Sequence, residues 1–310
     1  MKETVIAIVG PTAVGKTKLS IDLAKNLQGE IISGDSMQVY KGMNIGTGKI
    51  TETEKEDIPH YMLNIIQPNQ SFSVAEFQQS VRTYIDKITS KNKLPIIVGG
   101  SGLYIDAILY DYQFTNRERD PVITKKLEEK YKLEGIEPLY TELQKVDPEQ
   151  AKKIHPNNFR RVIRALEIYQ TTGKTMTEIH QKQKKSAKYN HILIGLEMER
   201  EILYNQINHR VDQMIKNGLV KEVSTLYENY GEKHQSMQGI GYKEIIPFLK
   251  GEEELDNCVE LLKRNSRRYA KRQFTWFKNK MNVQWYAMDE QPYQQKFQII
   301  LSDLKDKLKI

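Results

Sequence analysis

Residues 5–9, Val-Ile-Ala-Ile-Val, run directly into Gly10-Pro11-Thr12-Ala13-Val14-Gly15-Lys16-Thr17, and a helical pattern follows from Thr17 to Leu27. A wholly apolar short run is what a strand buried on both faces of a parallel sheet requires. The eight residues after it fill the pattern G-x-x-x-x-G-K-[ST] in the strand-to-helix context that gives the motif its meaning. Backbone N–H groups of such a loop converge on phosphate oxygens, and the helix N-terminus adds positive potential. Lys16 supplies a full charge, and the Thr17 hydroxyl can hold Mg²⁺.

Two further apolar runs, Ile31-Ile32 and Pro95-Ile96-Ile97-Val98, repeat this design with a helical stretch at Ala75 to Thr89 between them. A fourth, His191 to Leu196, comes only after a long detour. Strands alternating with helices predict an α/β fold, a P-loop NTPase-like core with a parallel sheet flanked by helices. The detour lacks strand signals and is dense in Lys, Glu, Asp and Arg on helical patterns, so it is expected to be an all-helical insertion domain. Residues 112–190 are assigned to that insertion, and 1–111 with 191–310 to the core, in keeping with roughly 150 residues per domain for a chain of 310. The polar tract Gln181 to Lys188 reads as the return linker. After residue 197 the pattern is mostly helical, with Leu203, Ile207, Val211, Met214 and Ile215 on one face.

Composition removes whole classes of chemistry. One cysteine, Cys258, excludes internal disulfides, iron–sulfur clusters and the paired-cysteine zinc site of nucleobase deaminases. His60, His155 and His180 lack ligand spacing. No apolar run approaches the ~20 residues of a membrane helix, and Val5 to Val9 is too short for a signal-peptide core, so a cytoplasmic protein without a membrane partner is expected. The sequence does not reveal the oligomeric state, and a monomer is the default expectation.

A phosphate site does not say what happens to the phosphate. Hydrolysing NTPases normally carry an Asp at the end of a further strand. Here the third strand ends in Gly99-Gly100-Ser101-Gly102, and Glu197 after the fourth is a poor substitute, so motor-type hydrolysis is disfavoured. Those glycines read either as a place where a ligand approaches the backbone closely or as a plain turn. Strand two ends Ser33-Gly34-Asp35-Ser36-Met37-Gln38-Val39-Tyr40. Ligands of open parallel sheets bind beyond the carboxyl ends of strands, which puts Asp35 near whatever the loop holds. Its carboxylate suits a metal ligand, a general base or a helix cap.

The net charge is +7, and the segment from Lys263 to Lys280 holds eight Lys or Arg and no acid, enough to account for it. Arg264, Arg267, Arg268, Lys271 and Arg272 follow helical spacing and form a cationic stripe. Solvated faces normally mix signs, so this one is expected to meet nucleic acid, with Tyr269, Trp276 and Phe277 available for packing or base stacking. In the insertion, Asn157 or Asn158 can cap a helix with Phe159, Val162, Ile163 and Leu166 as its apolar stripe. Arg160, Arg161 and Arg164 project from the remainder, either toward phosphate or into surface pairing with Glu167.

Together, Gly-Pro-Thr-Ala-x-Gly-Lys-Thr at 10–17, Asp35-Ser36-x-Gln38-x-Tyr40, Gly99 to Tyr104, Arg160-Arg161-x-x-Arg164-Ala165-Leu166-Glu167, Gly239 to Glu244 and Ala270-Lys271-Arg272-Gln273-x-Thr275-Trp276 resemble the tRNA dimethylallyltransferase (tRNA isopentenyltransferase) family. Departures are small: Ser101 replaces the usual Thr, Tyr61 a second His, and Gly48 and Ile50 alter Gly-Thr-Ala-Lys-Pro at 46–50. The resemblance implies transfer of a dimethylallyl group from its diphosphate to N6 of adenine 37 of tRNA. It implies that Gly10, Pro11, Thr12, Ala13, Val14, Gly15, Lys16 and Thr17 hold the diphosphate, with Mg²⁺ on Thr17, and that Asp35 acts on the amine. It further implies that Ser36, Met37, Gln38, Ser101 and Arg160, Arg161, Val162, Ile163 and Arg164 contact tRNA, with the insertion gripping the anticodon stem-loop. The alternatives are a P-loop small-molecule kinase with the insertion as its lid, and a non-catalytic nucleic-acid-binding protein. The kinase leaves the 264–272 stripe without a purpose, and the intact Lys16-Thr17 pair argues against the latter.

Overall fold

The computed structural model describes residues 2–112, 120–181 and 186–310. The chain divides into two compact units, Met1–Asp111 with Ala187–Ile310, and Tyr112–Ser186. The insertion thus ends earlier than the expected 190, because Ala187 bridges Tyr110 and Asn190 opens a strand of the first unit. Of the expected linker, residues 182–185 lie outside the described residues.

The first unit runs β1 (Thr4–Val9), α1 (Lys16–Asn26), β2 (Gly29–Ser33), β3 (His60–Tyr61), α2 (Val74–Thr89), β4 (Leu94–Gly99) and α3 (Gly102–Leu109). The second unit consists of α4 (Pro121–Glu134), α5 (Glu137–Val146), α6 (Pro148–Lys153), α7 (Phe159–Thr172) and α8 (Met176–Gln181). The chain then returns to the first unit with β5 (Asn190–Glu197), α9 (Arg200–Lys216), α10 (Leu219–Tyr230), α11 (Ile246–Leu249), α12 (Leu255–Lys280), β6 (Gln284–Ala287) and α13 (Tyr293–Leu308).

The six strands form one sheet in the order β3-β2-β4-β1-β5-β6, every ladder parallel. The apolar run of β1 lies at its centre, with Ile6 opposite Ile96 on one side and Ile192 on the other. Because side chains alternate along a strand, Val5, Ala7 and Val9 enter a core shared with Phe77, Val81 and Ile85 of α2 and Leu262 of α12. Ile6 and Ile8 enter the opposite core with Leu19 and Leu23 of α1 and Ile300 of α13. Each of the Val, Ile, Leu and Phe side chains named, fully buried, contributes about 1.5–3 kcal/mol. A parallel arrangement also sends the loops after β1, β2, β4 and β5 to the same edge of the sheet, which is what assembles the site.

Helix α2 begins with a reciprocal cap: Ser73 Oγ accepts from the Glu76 N–H at 3.2 Å, and Glu76 Oε2 accepts from the Ser73 N–H at 2.7 Å. The second unit, taken by itself, packs Leu139, Leu143, Val162 and Leu166 into its own core and, among the described residues, holds no strand. Among the described residues no helix is long and apolar enough to cross a membrane.

Candidate active site

The phosphate loop follows the centre of the sheet. Gly15 starts α1 with φ of +97°, a left-handed conformation that glycine adopts without steric cost, and Ala13 takes φ of +66°. Lys16 Nζ donates to the carbonyls of Gly10 at 3.0 Å and Pro11 at 2.5 Å. Burial, then the nearby Arg210 guanidinium, lower its pKa to about 7, and Asp35 offsets part of that. Thr17 is exposed and lines the same cavity as Lys16 and Asp35, which has a volume of about 1290 Å³. That exceeds the ~300–1,000 Å³ of ordinary small-molecule pockets. Apolar side chains, among them Ile207, Val211, Met214 and Leu262, form part of its wall.

Asp35 lies in the cavity wall and caps no helix, because a turn follows it and the next helix begins only at Val74. Its Oδ1 instead closes that turn, accepting the N–H groups of Met37 at 2.7 Å and Gln38 at 3.3 Å, while among the described residues Oδ2 has no hydrogen-bond partner. Ser36, Met37 and Gln38 line the cavity beside it. Ser101 does not: it precedes α3 as its N-cap residue, and it is Tyr269 of α12, whose pKa burial pushes up, that lines the cavity.

Sequence reasoning missed Arg210 altogether. It projects from α9 beside the apolar stripe of Leu203, Ile207 and Val211, donating to Thr12 Oγ1 at 3.5 Å and the Gly48 carbonyl at 3.4 Å. Its guanidinium fills the space where a Cβ on Gly48 would sit, and burial lowers its pKa. Only the distance between α9 and the 43–48 loop reveals this role. Gln273 was also unassigned. It is buried on α12, and its Oε1 accepts the Thr12 N–H at 2.9 Å, tying the loop to the helix.

The glycines after β4 admit neighbouring protein. A Cβ at Gly100 would stand 2.0 Å from Gln273 Nε2, and one at Gly102 would stand 2.2 Å from the Trp276 ring. Neither has a positive φ, so the plain-turn reading gives way to close packing of α12, while Gly99 and Gly100 also line the cavity. Glu197 forms an ion pair with Lys278 at 2.9 Å.

The basic stripe divides. Arg264, Arg268, Lys271 and Arg272 are exposed, but Arg267 is half-buried and donates to Asn208 Oδ1 on α9. Arg272 lines the cavity and lies over the Tyr269 ring, 5.7 Å from its centre. Phe277 is fully buried, which withdraws it from base stacking. In the second unit Asn158 is the cap of α7, accepting from the Arg161 N–H at 3.4 Å. Val162 and Ile163 are 0% and 4% exposed, so their side chains belong to the core and not to an RNA-facing surface, a correction that follows from their place on the apolar stripe. Arg164 pairs with the buried Glu167 at 2.7 Å, while Arg160 and Arg161 are exposed.

Residues 38–280 match the IPP transferase family. The chain is 56% identical over 304 residues to the tRNA dimethylallyltransferase of Oceanobacillus iheyensis, covering 98% of this chain and 97% of that one. To the Bacillus subtilis tRNA dimethylallyltransferase it is 54% identical over 287 residues, covering 93% and 91%. Among solved structures, the full-length tRNA isopentenylpyrophosphate transferase of Bacillus halodurans aligns with a TM-score of 0.76 at 46% identity, covering 100% of this chain and 97% of that one. A eukaryotic dimethylallyltransferase acting on tRNA aligns with a TM-score of 0.84 at 32% identity, covering 98% and 80%. Matched to the family over most of its length and to these relatives over nearly all of it, the chain belongs to the IPP transferase family.

Proposed function

We propose that this enzyme transfers the dimethylallyl group of dimethylallyl diphosphate to N6 of adenine 37 in the anticodon stem-loop of tRNA. The observation that carries the reading is a single cavity lined by the phosphate loop, two half-buried cations, a carboxylate and an apolar wall. An exocyclic amine is a weak nucleophile because its lone pair is delocalised into the purine. As the bond from N6 to C1 of the dimethylallyl group forms and the C1–O bond to diphosphate breaks, Asp35 Oδ2 takes the amine proton while Oδ1 keeps its turn closed. Negative charge grows on the departing oxygen, where Lys16, Arg210 and the loop N–H groups stabilise it. An adenine stacked in its loop is out of reach, so the base is extruded into the cavity.

Mg²⁺ favours oxygen ligands and commonly takes one or two from protein and the rest from phosphates and water. The exposed Thr17 hydroxyl in the cavity fits that demand, and the described residues hold no cluster of three or more acids, histidines or cysteines that would cage the ion unaided. When bound with diphosphate, it would supply further charge to the leaving group. The names of the relatives support tRNA as the acceptor, and with family membership the kinase and non-catalytic alternatives lose their ground.

Incubating the protein with tRNA, dimethylallyl diphosphate and Mg²⁺ should add one C₅H₈ unit to the RNA by mass, while ATP with nucleosides should give no phosphorylation. Asp35→Asn keeps the turn-closing oxygen and should lower turnover by ~10²-fold or more with tRNA affinity nearly unchanged. Near-native turnover would leave Asp35 with its turn-closing role alone.

A further inference from the structure

The motif Gly239 to Glu244 contributes only Gly239 and Ile240 to the cavity wall, yet it is packed against a carboxylate that no step above uses. Glu222 on α10 lies outside the cavity wall. Its Oε2 accepts the N–H groups of Asn44 at 3.0 Å and Ile45 at 2.8 Å, and its Oε1 accepts the Gly46 N–H at 3.0 Å and the Tyr242 hydroxyl at 2.7 Å. Three successive amides turned to one point make an anion-binding nest, here filled by the protein's own carboxylate. Tyr242 is fully buried, and burial with the adjacent Glu222 holds its phenol well above the ordinary value, so it remains a donor. The loop rests directly on that ring: a Cβ on Gly46 would come within 2.6 Å of it. Glu244 anchors the other side, accepting from the Gly241 N–H at 2.8 Å and from Asn265 of α12 at 2.9 Å.

The same loop continues into the groups that face the cavity. The carbonyls of Thr47 and Gly48 accept from Gln38 Nε2 at 3.3 and 3.5 Å, and the Gly48 carbonyl accepts from Arg210 at 3.4 Å. The other hydrogen bond of Arg210 is to Thr12 in the phosphate loop. We infer that Glu222, braced by Tyr242, is a positioning residue: by fixing residues 44–46 it sets the Gly48 carbonyl and through it the Arg210 guanidinium against the phosphate loop. The inference rests on the reading of Arg210 as a ligand of the diphosphate. A carboxylate is required because all four partners donate. The amide of a glutamine turns an N–H₂ group toward some of them and loses the charge that strengthens the rest.

The test measures KM for dimethylallyl diphosphate, Kd for inorganic diphosphate and Kd for tRNA in Glu222→Gln, Tyr242→Phe, Arg210→Ala and the double variant Glu222→Gln/Arg210→Ala. Glu222→Gln should raise KM and the diphosphate Kd by about tenfold and leave tRNA affinity unchanged. In the Arg210→Ala background the same substitution should change them by less than about twofold, because residues acting through one contact are not additive. Tyr242→Phe removes one bond of four and should shift both constants the same way by a smaller factor, so it keeps the test open if Glu222→Gln does not fold. A lower Tm with unchanged diphosphate constants in either variant would overturn the inference, as would equal effects with and without Arg210. Unchanged diphosphate binding in Arg210→Ala alone would instead remove the role of Arg210 itself, and the inference with it.

Discussion

Two sets of cations occupy the first unit in opposite surroundings. Lys16 and Arg210 are half-buried beside the phosphate loop, each already hydrogen-bonded to backbone carbonyls, whereas Arg264, Arg268 and Lys271 extend from α12 into solvent. At ~4 Å two unit charges interact by about 1 kcal/mol in water but about 4 kcal/mol at an effective dielectric of 20. The half-buried pair can therefore act on a few atoms of a reacting anion, and its own protonation becomes sensitive to what it binds. The exposed set acts through many weak, screened contacts that respond to salt and hardly to pH. Arg272 lies between them, at once exposed and part of the cavity wall.

The sharpest way to break this contrast is Lys16→Ala. If the half-buried charge stabilises the leaving diphosphate, turnover should fall by about 10²–10³-fold with tRNA affinity unchanged. A collapse of tRNA binding with diphosphate binding intact would assign the loop to RNA instead.

The next effect is a pH dependence confined to the half-buried set. Burial lowers the Lys16 pKa to about 7, and an anion bound to it raises that value. Above pH 7, binding must therefore take up a proton, so diphosphate affinity should fall by up to about tenfold per pH unit until the pKa of the complex is passed. The ligand for this measurement is dimethylallyl diphosphate, a monoester whose last phosphate proton leaves near pH ~6, below this window. The stability of the protein measured without ligand runs the other way. Between about 7 and the ordinary 10.5 the unfolded chain holds the Lys16 proton and the folded one does not, so stability rises with pH across that range. Calorimetric binding and unfolding from pH 6 to 10 check both slopes, and Lys16→Ala should flatten both.

For the exposed set, Arg264→Gln with Arg268→Gln should lower the slope of log affinity against log salt by about 1.4–1.8, at 0.7–0.9 per phosphate contact. Different tRNAs should weaken about equally, because phosphates carry no sequence information. Filter binding between low and physiological salt measures it, and a parental slope would make the stripe an ordinary surface.

The same contrast explains what was legible in the sequence. β1, the phosphate loop and α1 were legible because period, glycines and Lys16 lie within one local stretch, and Asp35 followed from its place at a strand end. β6 was not, since Gln284 to Ala287 is short and has no apolar alternation, and β3 has only the two residues His60 and Tyr61. Arg210 lies 198 residues from the Thr12 it touches, on a helix whose pattern marks only its buried stripe. The glycines at 100 and 102 announced a close approach correctly but not by what, because the side chains involved, Gln273 and Trp276, come from a helix far along the chain. Val162 and Ile163 show the converse: a motif puts them beside arginines, and packing, which follows period, buries them.

Arg267 gives the smallest effect and the finest test. Helical spacing alone makes it equal to Arg268, one residue on. In the structure its guanidinium is half-buried and donates to Asn208, so it braces α12 against α9. To reach a phosphate it would have to give up that bond and the packing of its stem, which offsets most of what a screened contact returns. Arg267→Gln should therefore change the salt slope by less than about half a unit, against 0.7–0.9 for Arg268→Gln, while lowering Tm more than Arg268→Gln does. A full contact's worth of slope lost from Arg267 would mean that RNA draws the side chain away from Asn208, and the stripe would then act as the continuous row of five that its spacing describes.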